Sequence, residues 1–140
     1  MSFLKIENAC CQLNLQKNWY GKKVYVLNEV FIRLKEWKCD VDGALERFLG
    51  DEEMYMDFLH QIAEEESVAK LGAAIEAGDA QAAFDCAHTL KGVHGNMGLT
   101  PLYLLDIEIV EPLRAGSFAG VQDHYAKLVA ENNKLKDILK

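Results

Sequence analysis

Ala87-His88-Thr89-Leu90-Lys91-Gly92-Val93-His94-Gly95-Asn96-Met97-Gly98 decides the fold, because it sets a histidine on the wet side of a helix whose other side is apolar. At about 100° per residue, Ala83, Cys86, Ala87, Leu90, Val93 and Met97 share one stripe, the pattern of a core-facing helix. His88 points the opposite way, with Phe84 one turn before it and Lys91, Gly92 and Gly95 within two turns after it. A glycine inside a helix costs about 1 kcal/mol against alanine, so Gly92 and Gly95 on this face serve something other than helix stability. A missing side chain beside His88 lets a second molecule approach the imidazole and the helix backbone closely. Lys91 places an ammonium where an added anion would be partly neutralised.

Working outward from this helix, the same logic divides the rest of the chain. Asp79 caps its start and Gly95 or Met97 marks its end. Upstream, Leu27, Val30, Phe31, Leu34 and Trp37 recur at helical spacing and predict a helix from about Val24 to Lys38. A strand through Val24–Leu27 is the rival reading, with no second strand to pair with it. Residues 1–23 lack a firm period and are expected to form an irregular arm. Asp40 or Asp42 can cap a short helix through Leu49, with Gly50 at its end, and Asp51 caps the next. That next helix is expected to carry Met54, Tyr55, Phe58, Leu59 and Ile62 inward as far as about Glu66, where Ser67 restarts or merely interrupts it before Gly78. Thr100 followed by Pro101 reads as a cap and a first-turn proline, opening a helix that turns Leu102, Leu105 and Ile109 inward. Pro112 predicts a kink or early stop. Gly116 then ends that segment, Ser117 caps the last helix, and Val121, Tyr125, Leu128, Leu135 and Leu139 carry it almost to Lys140. The sum is all-α: an up-down four-helix bundle with an additional N-terminal helix.

Composition sets outer bounds. The 140 residues suit one domain, and 50% hydrophobic against 26% charged residues is ordinary for a soluble globular protein. A formal net charge of −7 argues against nucleic-acid binding, which wants a basic surface. No stretch approaches the roughly 20 apolar residues of a membrane span, and the N-terminus shows no signal-peptide core. Cys10, Cys11, Cys39 and Cys86 form no CxxC pair, which suits a reducing compartment better than a disulfide framework. A cytoplasmic location is expected.

The residues around His88 resemble the histidine phosphotransfer (HPt) domains of two-component phosphorelays, whose signature is roughly AHxLKG with a GxxG-like ending. The match is AHTLKG from Ala87 to Gly92, with Gly95 and Gly98 after it. It extends to Val41–Tyr55, similar to the family's leading segment, and to Ile75–Asp79, similar to its turn into the active helix. The resemblance thus covers an HPt-like four-helix bundle over residues 39–140 and leaves 1–38 as an arm and extra helix. Pro112 departs from the unbroken helix that the family usually shows at that place.

The resemblance implies that His88 accepts a phosphoryl group from a receiver-domain aspartate and passes it to another receiver. Phosphoryl transfer needs mainly positioning and charge stabilisation, so a small bundle can supply half of an active site. Lys91 would hydrogen-bond a phosphoryl oxygen. Gly92 and Gly95 would admit the partner, although Gly95 can equally begin the helix C-cap. Phe84 is either an apolar contact for the docking receiver or tucked under the N-terminal segment. The expected partners are response-regulator receiver domains and a hybrid sensor histidine kinase. No cofactor is expected on this chain, and Mg²⁺ is expected in the receiver. No P-loop or kinase glycine box occurs, so a phosphotransfer intermediate without kinase activity is expected.

The remaining polar residues have plainer readings. Asp85, one turn before His88, can orient the imidazole or simply be solvated. His94 falls at the edge of the apolar stripe and suits a half-buried, satisfied histidine. His60 and His124 have no partner at metal-ligand spacing, and Glu64-Glu65-Glu66 reads as a solvated face. Trp19, Tyr25 or Trp37 are candidates for a dimer contact. Two other functions compete with transfer: an interaction module that binds a receiver without chemistry, and a cofactor-binding bundle, which the absent ligand pairs disfavour.

Overall fold

The computed structural model describes residues 18–140, with side chains from 27 onward; the expectations for residues 1–17, Cys10 and Cys11, and the side chains of Trp19 and Tyr25 lie outside that range. Among the described residues there are seven helices and no strand: α1 Asn18–Glu36, α2 Val41–Arg47, α3 Glu52–Glu64, α4 Ser67–Glu76, α5 Ala80–Asn96, α6 Thr100–Arg114 and α7 Val121–Ile138. Four legs make the bundle. The broken pair α3 and α4 forms the first, then α5, α6 and α7 follow, each packed on the one before it, and α7 closes back onto α3 and α4. The additional helix α1 packs on α2, α3 and α7.

The turn chemistry is local and mostly aspartate-driven. Asp40, Asp51 and Asp79 each accept from the backbone N–H three residues on, at 2.9–3.1 Å, a cap worth about 1 kcal/mol. The first leg breaks at Glu65, whose backbone is extended, and restarts at Ser67. α5 and α6 end alike, with a left-handed glycine after the cap and paired closing bonds. In α5, Leu99 N–H donates to His94 O at 2.9 Å and Gly98 N–H to Gly95 O at 3.2 Å. In α6, Ser117 N–H donates to Pro112 O and Gly116 N–H to Leu113 O, both at 2.9 Å.

Several expectations are corrected. Residues 18–23 are helical, so α1 starts earlier than the sequence pattern placed it. Met54 and Phe58 are exposed, and Met56 and Ala63 are buried instead. Their helix carries more apolar surface than its core-facing arc can bury. Thr100 is the first residue of α6 and not its cap; Leu99 takes the cap position with no side-chain bond. Ser117 holds the preceding turn by accepting from Ala119 N–H at 3.1 Å, and Gly120, in the left-handed region, takes the cap position before α7. Pro112 does not stop its helix early. It falls in the last turn, and the carbonyl it leaves without an N–H belongs to Glu108, an exposed residue that water can reach.

One core runs through all of this. Leu27, Val30, Phe31 and Leu34 of α1 are buried in the same cluster as Tyr55, Leu59, Leu71, Leu90, Leu102, Ile109, Leu128 and Leu135. The Trp37 indole N–H donates to Glu131 Oε2 at 2.6 Å, tying the end of α1 to α7.

Candidate functional site

α5 presents His88 as its shape requires. Ala83, Ala87, Leu90 and Met97 are buried, Cys86 and Val93 are partly so, and His88 is exposed on the opposite side. Its ring stacks on Phe84 one turn earlier, centroids 5.6 Å apart and planes inclined by 28°. Phe84 is half-buried, and the Arg114 guanidinium lies 5.5 Å from its ring centroid, so the imidazole is backed by a ring that is itself covered by a cation. Lys91 is partly exposed one turn beyond His88. Gly92 is fully open: a Cβ built there meets nothing within 4 Å. Gly95 is different, because a Cβ there would come within 3.2 Å of the Tyr103 ring of α6. It lets two helices close on each other.

His88, Lys91, Gly92 and Gly95 border an open hollow of about 540 Å³. Its far wall comes from Arg47 and Tyr103, which the sequence reading missed, together with Asp40, Asn96, Gly98 and Thr100, which it read only as caps or as part of the glycine-ended motif. Arg47, from α2, caps the C-terminal end of α5 by donating to Asn96 O at 2.8 Å and to Gly95 O at 3.4 Å, where a cation suits the negative end of the helix dipole. Gly98 adopts φ 69° and gives its carbonyl to Asp40 N–H at 2.8 Å; a Cβ there would collide with Asp40 O. Tyr55, buried, donates its hydroxyl to Met97 O at 2.8 Å. Three elements therefore fasten the end of α5, leaving the face with His88 open.

Other candidates fall away from the site. Asp85 accepts from Gln81 Nε2 at 3.0 Å and is exposed, so the solvated reading describes it. His60 is exposed, and His124 Nδ1 donates to Gly120 O at 2.8 Å. Cys39 is buried with a thiol pushed up to about 12 by desolvation, and Cys86 is half-buried; both are free. Burial likewise raises the phenol of Tyr55.

His94 is a correction. It is completely buried rather than half-buried, and its Nδ1 lies 2.5 Å from Oδ2 of Asp106, also completely buried, on α6. The other ends of the pair, His94 Nε2 and Asp106 Oδ1, have no hydrogen-bond partner. Burial pushes the Asp106 carboxyl up, and His94 pulls it part of the way back. The signal was present in the sequence, since a histidine interrupts the stripe of α5 and an aspartate the stripe of α6 at Leu102, Asp106, Ile109 and Leu113.

The Hpt domain family model matches residues 45–137 of this chain. The crystal structure of histidine-containing phosphotransfer protein B (HptB) from Pseudomonas aeruginosa PAO1 matches with a TM-score of 0.62 and 26% sequence identity, over 72% of this chain and 90% of that one. A comparison with curated proteins gave no match.

Proposed function

This chain belongs to the Hpt domain family, and from that premise we propose that His88 is the residue that takes a phosphoryl group from a receiver-domain aspartate and hands it to another receiver. The chain is a histidine phosphotransfer protein of phosphorelays. The observation that carries the assignment of His88 is its exposure on a helix whose opposite side is buried, beside an open glycine and a lysine.

An unprotonated ring nitrogen of His88 attacks the phosphorus of the receiver's acyl phosphate. The N–P bond forms as the P–O bond to the aspartate breaks, and the aspartate leaves as a carboxylate. Lys91 donates to a phosphoryl oxygen and offsets its charge. Gly92 leaves the space that the group and the receiver's loops require. The Phe84 ring restricts the imidazole to one plane, which lowers the entropy lost on reaching the attacking geometry. Mg²⁺, held by acidic side chains of the receiver, supplies charge neutralisation from the partner's side.

For docking, the exposed apolar residues Leu49, just after α2, and Met54 and Phe58, on α3, follow in sequence the helix that supplies Arg47 to the hollow, and they offer the receiver an apolar contact beside the charged one. The protein works as an intermediate without kinase activity of its own, with a hybrid sensor kinase among its phosphate sources, in the cytoplasm. Among the described residues no helix is long and apolar enough to cross a membrane.

The test is transfer from a phosphorylated receiver domain to this protein, with His88→Gln beside it. An acid-labile, alkali-stable label on the wild type that is absent from His88→Gln supports the reading. Function that survives His88→Gln would mean a binding module without chemistry.

A further inference from the structure

We infer that the buried His94–Asp106 pair is a positioning device for phosphoryl transfer, fixing α5 against α6 and so the place of His88, Lys91 and Gly92 before the incoming group. It rests on the reading of His88 as acceptor.

The pair is the wrong choice if stability alone were served. Both residues are completely buried, and two of their four polar side-chain atoms have no partner. Desolving such groups costs free energy that one hydrogen bond repays only in part, and two apolar side chains of similar volume often hold a core as well or better. A directional bond does something that apolar contact does not. It selects one rotation and one height of α5 relative to α6, whereas packed methyl groups tolerate small slides.

His94 is well placed to transmit that choice. Its carbonyl closes the end of α5 by accepting from Leu99 N–H, so the residue that bonds α6 through its side chain also sets the turn into α6 through its backbone. One residue on, Gly95 brings the two helices together against Tyr103. His94 and His88 stand six positions apart on one continuous helix. A rotation of α5 at His94 is therefore a displacement of His88. Misplacement by about 1 Å can cost up to 100-fold in rate.

The experiment compares the full chain with a His94→Leu/Asp106→Leu double variant and with Asp106→Asn, which keeps an acceptor for the ring N–H. Three quantities are read: thermal unfolding, affinity for a phosphorylated receiver, and the transfer rate at saturating receiver. The double variant is expected to stay helical, to unfold at or above the wild-type temperature and to bind the receiver as before, while its saturated rate falls tenfold or more. Asp106→Asn is expected to transfer within threefold of wild type. A folded double variant that transfers within threefold of wild type overturns the inference and leaves the pair a packing feature. A folded Asp106→Asn that loses tenfold overturns it equally, and does so even if the double variant fails to fold. His88→Gln runs alongside, since absence of label on the wild type itself would sink the acceptor assignment and not this inference.

Discussion

Gly92→Ala should make the protein more stable and worse at its task. Gly92 lies inside α5, four residues after His88, with ordinary helical backbone and no heavy atom within 4 Å of where a Cβ would stand. Alanine in an exposed helix interior is worth about 1 kcal/mol over glycine. For a chain of this size that corresponds to a rise of roughly 3–4 °C in melting temperature. The same methyl group stands beside the imidazole, in the space through which a phosphoryl group and a receiver backbone must come. A displacement of about 1 Å in that approach is enough for a loss of one to two orders of magnitude. The assay pairs a thermal melt with single-turnover transfer from a phosphorylated receiver at saturating concentration. A stabilised variant that transfers within twofold of wild type would refute the role given to Gly92. A destabilised one would refute the description of its surroundings as open.

Four further outcomes follow from the same structure. Gly98→Ala combines a left-handed φ with a collision against the Asp40 carbonyl and should cost about 2–4 kcal/mol, measured by urea unfolding. Leu49→Asp replaces a side chain that is 94% exposed; its stability should stay within about 0.5 kcal/mol of wild type, while titration with a phosphorylated receiver should show at least a fivefold loss of affinity. The Cys39 thiol, raised by burial from 9.0 to about 12, keeps its proton in the folded state while the unfolded chain releases it, so folding loses about 1.4 kcal/mol per pH unit above pH 9. Urea unfolding between pH 9 and 11 should show that slope flattened in Cys39→Ala. Deleting residues 1–38 strips Leu27, Val30, Phe31 and Leu34 from the core, roughly 6–12 kcal/mol of apolar burial, and should abolish the cooperative melt that circular dichroism follows in the full chain.

The helix that carries His88 was legible because its signals are local. An apolar stripe, a capping aspartate and a glycine stop each act within a few residues; Asp51 and Asp79 cap where their spacing placed them, and of the two candidates Asp40 and Asp42 it is Asp40 that caps. The far wall of the hollow was not legible, since Arg47 and Tyr103 reach the site from other helices and nothing in their own neighbourhoods marks them. Met54 and Phe58 misled for a physical reason. Helical periodicity identifies the apolar arc of a helix but not how much of it the neighbouring elements cover, and here the arc is wider than the core. His94 and Asp106 were visible as two polar residues in two apolar stripes; what periodicity could not supply was that the stripes face each other at that height.

The contacts made by α1 bear on the site more than its distance from His88 along the chain suggests. Phe31 packs its ring 5.7 Å from that of Tyr55, Arg33 donates to Ile138 O at 3.2 Å, and Trp37 bonds Glu131, so α1 is tied to both the first and last legs of the bundle. Tyr55 then bonds Met97 O, Asp40 N–H bonds Gly98 O immediately after α1's own connection, and Arg47 bonds Asn96 O. All three fastenings fall within the last turn of α5 and the turn that follows it. An exposed histidine on a free-standing amphipathic helix would share that helix's fraying and rotation, because isolated helices of this length are marginal in water. Anchored at its C-terminal end by α2, α3 and the α1–α2 connection, and along its buried side by α4 and α6, α5 can leave one face bare to solvent and still hold its side chains in place. The bare face is what a docking partner needs, and the clustering of fastenings at one end is what makes it compatible with a fixed geometry.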